Sequence, residues 1–337
     1  MTVGGWFDGE DLFGALETYK AFETQSPGAE NTLVMGPWRH GGWSREDGDR
    51  HGDIAFGTKT SLYYREHVEF PFFERHLRGV QAAKAPEALV FETGTNEWRR
   101  FDAWPPKEAK QAELFLLPGG ALLSKRKDEQ ASFTEYVSDP ARPVPYMDGF
   151  STDTDYRYMT ADQRFASRRP DVAVFQSPVL TEDVAIVGTL EASLWVTLTT
   201  TDADFIVKLI DVFPADVENP SPNPKEVQLP GYQMLVRAEV MRGKFRESLE
   251  QPKPFVPGQP TLVRFALPAT AHAFRPGHRL MVQVQSSWFP LVDRNPQSFV
   301  DIYKAKEDDF VRSTVRILQS KEHPSSLKVS LLRGSLP

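Results

Sequence analysis

The stretch GGWFDGEDLFGA, residues 4–15, decides the reading of the fold. Glycines, an aromatic pair and an aspartate make a tight turn, and the chain enters a helical pattern directly after it. From residue 11 to 25, Leu12, Ala15, Leu16, Tyr19 and Phe22 recur at spacings of three and four, which predicts a helix. Glu10 and Asp11 stand at its start, where the helix dipole favours negative charge. Further out, Thr32 to Met35 read as a short buried strand stopped by Gly36-Pro37. A strand end, a helix and a strand in that order describe a parallel pair, and parallel strands are buried on both faces. One or two such strands do not form a stable sheet alone. Residues 1–82 are therefore expected to be the last portion of an α/β domain whose earlier strands lie outside this chain.

A second helical pattern covers residues 58–78, with Pro71 breaking or kinking it and Gly79 fitting a C-cap. The texture changes near Pro86. ALVFETG (88–94) and AELFLLPGG (112–120) read as strands ending in turns, and residues 139–170 as a long irregular excursion. Apolar, alternating stretches then follow in series at 183–188, 190–200, 204–213, 232–241, 261–267, 278–287, 314–319 and 326–332. Many short strands separated by turn signals predict a β-sandwich or jelly roll over residues 83–337. The 27 prolines agree, because proline favours loops and edge strands over long helices. The expected fold class is mixed α/β plus all-β: a C-terminal remnant of an α/β domain, then a jelly-roll β-sandwich.

Composition narrows the function classes. At 40% hydrophobic and 25% charged residues the chain can bury a substantial core. A net charge of −7 without a basic block gives no support for nucleic-acid binding. No apolar run approaches the roughly 20 residues needed to cross a membrane, and no signal peptide is visible. The absence of cysteine excludes disulfides, thiol catalysis and cysteine-based zinc sites, and leaves the compartment unknown.

Two residues stand where chemistry is expected. Asp8 follows a strand end and precedes a helix; His40 follows the next strand through GPWRHGG. Both therefore lie at the carboxyl edge of a sheet, where sites form in open α/β folds. An aspartate orienting a histidine is two-thirds of a nucleophilic triad, and the order acid-then-histidine late in a domain is that of α/β-hydrolases. The alternative is that Asp8 caps the helix and His40 is a loop histidine. His51, His67 and His76 are scattered and read as surface or helix-packing residues rather than metal ligands.

GGWFDGEDLFGA and LVMGPWRHGG (33–42) resemble the acid and histidine segments of the cocaine esterase / X-Pro dipeptidyl peptidase group of serine hydrolases. The branch they look most like is that of the α-amino acid ester hydrolases and glutaryl-7-aminocephalosporanic acid acylases. PFFERHLRG (71–79), TGTNEWRRFDAWPP (93–106) and GHRLMVQVQSSWFPLVDRNP (277–296) look like that group's domain junction and C-terminal jelly roll. The resemblance implies acyl transfer without metal or organic cofactor, on a small ester, amide or short peptide. Asp8 matches the triad acid and His40 the general base. Glu10 and Asp11 match two acidic residues that bind the substrate's α-ammonium group. It also implies self-association, because related enzymes form oligomers.

One feature departs from the family. The chain contains no G-x-S-x-G elbow, and Ser44 lies in the polar loop SREDGDRHGD without elbow context. The nucleophile is accordingly expected outside residues 1–337, on a complementing N-terminal α/β-hydrolase segment, and the chain alone is expected to be inactive. A carbohydrate- or partner-binding jelly roll is the competing reading.

Overall fold

The computed structural model describes residues 1–81, 85–126, 132–149 and 155–337. The expected boundary between residues 82 and 83 lies outside them. The described chain is mostly β, with few helices.

The strand Thr2–Gly5 (β1), the helix Leu12–Gln25 (α1) and the strand Leu33–Gly36 (β2) follow one another as the sequence predicts. The two strands pair in parallel, Gly5 opposite Gly36. The strand Ala88–Glu92 joins β2 in parallel, and Glu97–Phe101 folds back antiparallel on it. The small sheet thus has the order β1, β2, 88–92, 97–101 and runs on to Phe101. The sequence reading had placed 88–94 with the later strands. The stretch suits the parallel sheet because Ala88 to Glu92 is buried throughout, as is β2. β1 is one edge of this sheet and Glu97–Phe101 the other.

The second helical stretch forms as two α-helical pieces, Thr60–Tyr64 and Phe70–Arg78, joined by a π-helical turn at Arg65–Glu69. The widened turn lies just before Pro71, whose missing N–H cannot continue the regular ladder. Gly79 ends the helix at φ 64°, and the Val80 N–H closes on the Glu74 carbonyl at 3.2 Å.

The remaining strands form a small antiparallel pair, Arg50–His51 with Ile54–Ala55, and one large sheet, eleven-stranded among the described residues. Its buried cluster draws on strands from both halves of the order, Phe205 and Val282 from one, Leu194 and Ile317 from the other. The sheet therefore folds over on itself around a common core. The stretches read as 183–188 and 190–200 are a single strand, Val184–Leu198, with a register shift at Gly188 where φ is 77°. The strand begun at Thr261 continues to Phe274. Strands at 121–123, 133–138 and 173–176 were not anticipated.

The two sheets meet where the strand 88–92 ends. The Thr93 N–H donates to the Ala271 carbonyl at 3.0 Å and the Ala273 N–H returns a bond to Thr93 at 2.8 Å. Glu92, 1% exposed, accepts from Arg333 at 2.5 and 2.7 Å, and from Arg99 at 3.1 Å. Trp6, Phe91, Val187 and Ala271 share one buried cluster across this joint.

Candidate active site

The ends of β1 and β2 run on side by side. The Trp6 N–H donates to the Gly36 carbonyl at 2.8 Å and the Phe7 N–H to the Trp38 carbonyl at 3.0 Å. Only glycine allows this approach at residue 5, where a Cβ would stand 2.1 Å from the Trp38 oxygen. Asp8, one residue past Phe7, and His40, two past Trp38, are thereby brought together.

Asp8 is 3% exposed. Its Oδ1 accepts the backbone N–H groups of Glu10 and Asp11 at 2.9 and 3.0 Å. Its Oδ2 lies 3.0 Å from His40 Nδ1. A carboxylate offers only acceptors, so the neutral imidazole carries its proton on Nδ1 and its lone pair on Nε2. The His40 side chain is 45% exposed, and Nε2 has no hydrogen-bond partner among the described residues. Gly41, at φ 68°, turns the chain away after His40. Ser44 donates its hydroxyl to the Gly41 carbonyl at 3.0 Å rather than to His40. The two alternatives for Asp8 are not exclusive: one carboxylate ties down the turn into α1 and holds the imidazole.

Glu10 and Asp11 are exposed beside this pair, and neither is in an ion pair among the described residues. The Asp11 carboxylate lies over Gly14, where a Cβ would meet its Oδ1 at 2.0 Å. Glu10 accepts a hydrogen bond from the Tyr156 hydroxyl at 3.0 Å. That bond, with the charge of Glu10, pushes the Tyr156 hydroxyl above the usual phenol range.

Tyr156 comes from the excursion at 139–170, which the sequence reading left without a role. Its carbonyl lies 3.0 Å from His51 Nε2, and His51 stacks on Phe7 with ring centroids 4.8 Å apart. His51 is buried, not a surface histidine, and desolvation lowers its pKa, so the neutral ring donates to Tyr156. The sequence singles out His51 only as a surface or helix-packing residue and gives no sign of Tyr156, because their partners are distant in the chain. His67 and His76 lie in the second helical stretch against Tyr63 and Phe72, away from Asp8. Among the described residues no group of three potential ligands is placed to hold a metal ion.

An imidazole held at Nδ1 by a buried carboxylate, half-exposed and with Nε2 unbonded among the described residues, is arranged to take and return a proton. Residues 80–328 match the family model described as the X-Pro dipeptidyl-peptidase C-terminal non-catalytic domain. The chain is similar to the cocaine esterase of Rhodococcus sp. (strain MB1 Bresler), 31% identical over 99% of this chain and 56% of that protein. Among solved structures it is similar to an aminopeptidase from the marine sediment archaeon Thaumarchaeota archaeon. There the TM-score is 0.91 at 38% identity, covering 98% of this chain and 54% of that one. An α-amino acid ester hydrolase matches with a TM-score of 0.89 at 39% identity, over 97% of this chain and 54% of that one. The chain spans about half the length of these relatives. Fold and matched domain agree: the chain belongs to the family of the X-Pro dipeptidyl-peptidase C-terminal domain.

Proposed function

We propose that Asp8 and His40 are the acid and general base of a serine-type acyl-transfer site, and that the nucleophilic serine is supplied from outside residues 1–337. The observation that carries this reading is the 3.0 Å contact between Asp8 Oδ2 and His40 Nδ1, with Nε2 unengaged. The incoming serine hydroxyl loses its proton to Nε2 as its oxygen bonds to the ester or amide carbonyl carbon. The tetrahedral oxyanion then collapses, and the leaving alcohol or amine departs with that proton. Water repeats the sequence on the acyl-enzyme. Asp8 holds the imidazole in the productive tautomer and stabilises the imidazolium.

Glu10 and Asp11 give the substrate class in this reading: an α-amino ester, amide or short peptide whose ammonium group lies between them. Two unpaired carboxylates at a site mouth attract a cation. The names of the aminopeptidase and the α-amino acid ester hydrolase are consistent with this choice. An outside serine is supported by β1, one edge of the small sheet, whose outer backbone groups are available to further strands. The turn Tyr156–Thr160, which packs on the strand Gln233–Arg242 of the large sheet, taken as a jelly roll, flanks the site through the bond from Tyr156 to Glu10.

The test uses an enzyme that combines this chain with a serine-bearing segment of the family. The ratio of kcat/KM for an α-amino ester to that for its des-amino analogue is measured before and after Glu10→Gln with Asp11→Asn. A fall in the ratio is the expected result, and an unchanged ratio removes Glu10 and Asp11 from the site.

A further inference from the structure

Arg237 lies in the middle of the strand Gln233–Arg242 of the large sheet and is 3% exposed. Burying an ionised group without a counter-charge is unfavourable, so buried arginines ordinarily sit on carboxylates. Arg237 has no carboxylate partner among the described residues, and its Nε and Nη2 are buried without hydrogen bonds. Burial lowers its pKa to about 10, which leaves it protonated at neutral pH. Its one side-chain hydrogen bond among the described residues runs from Nη1 to the Trp6 carbonyl at 2.7 Å, and the guanidinium lies over the Trp6 indole, 6.0 Å from its centroid.

The place of that bond gives it meaning. The Trp6 carbonyl and the Phe7 N–H belong to one peptide plane. Arg237 takes the carbonyl end, and the Trp38 carbonyl takes the N–H end at 3.0 Å. The indole is fixed separately by its own N–H on the Phe91 carbonyl at 2.8 Å. The next residue after this plane is Asp8, and Trp38 is two residues before His40. A rotation of the plane would therefore swing the Asp8 carboxylate away from the imidazole.

We propose that Arg237 is a positioning residue for the Asp8–His40 pair, so that the region matched as a non-catalytic domain sets the geometry of the acid and the base. This inference rests on the reading of Asp8 and His40 given above.

The experiment is proton NMR of the 337-residue chain, following the hydrogen-bonded Nδ1–H of His40, assigned by its loss in His40→Gln. In Asp8→Asn the resonance should shift or vanish; if it is unchanged, the Asp8–His40 reading fails, and the role of Arg237 with it. In Arg237→Met exchange of this proton with water should speed up about tenfold, the scale of a lost charge-assisted hydrogen bond. Arg237→Lys, which keeps one charged donor, should fall between that variant and the parent; this comparison stands if Arg237→Met does not fold. Arg333→Met removes a different cation at the joint between the sheets and should leave the resonance in place. Unchanged exchange in folded Arg237→Met, or equal loss in Arg333→Met, would overturn the proposal while leaving the Asp8–His40 pair intact.

Discussion

Asp8 Oδ1 takes the N–H groups of Glu10 and Asp11 and lies 3.3 Å from His40 Nδ1, while Oδ2 approaches that nitrogen more closely, at 3.0 Å. Asp8→Asn separates these roles. The amide oxygen can still hold the turn, but an N–H group then faces Nδ1, and the lone pair leaves Nε2. In an enzyme completed with its serine, kcat/KM should fall about 10⁴-fold, the scale of the wrong-tautomer defect in serine proteases. Thermal unfolding of the same variant should change little. The contact between Asp8 and His40 was legible because each stands one turn beyond a short apolar strand. Tyr156 and Arg237 were not, because Tyr156 meets Glu10 across 146 residues and Arg237 meets Trp6 across 231. Such pairings exist only after the large sheet has packed on the small one.

The elements that position the site are β1 and β2, and their crossing depends on glycine. Gly5→Ala would drive a methyl group into the Trp38 carbonyl, 2.1 Å away. Because the obstacle is backbone, the strand ends must separate, and urea unfolding should show a loss of about 1–3 kcal/mol, the overpacking range. α1, β2 and the helical pieces around Pro71 were readable from apolar spacing and from glycine and proline at their ends. The strands Ala121–Leu123 and Ala173–Gln176 are too short to display a period of two. The run Ala88–Glu92 was read as a strand but given to the wrong sheet. A continuous apolar stretch announces burial on both faces, not which neighbours provide it.

At the scale of the molecule, the two sheets are joined through Glu92. Burial alone would raise its pKa, but hydrogen bonds from Arg333 and Thr95, with the charges of Arg333 and Arg99, outweigh it and hold the carboxyl below the usual range. A depressed carboxylate stabilises the fold fully above its unfolded pKa, and that contribution disappears as pH falls through the folded value. Glu92→Gln should therefore cost about 2 kcal/mol at neutral pH, below the range for fully buried pairs because both guanidinium groups are about a third exposed. Urea unfolding across the acid range should show the difference between parent and variant shrinking towards zero. A difference independent of pH would mean that Glu92 acts through packing alone. The two-part organisation was visible as a change of texture near Pro86, while the extension of the small sheet to Phe101 was not.

In the proposed reading His40 is an oriented base that serves a serine from outside residues 1–337. The most direct test of that reading is labelling of the folded 337-residue chain with a fluorophosphonate probe, against a heat-denatured control, with mass mapping of any modified residue. The account predicts no label above the control. A single serine labelled in the folded chain, and lost in His40→Ala, would contradict it by showing that the nucleophile lies within residues 1–337.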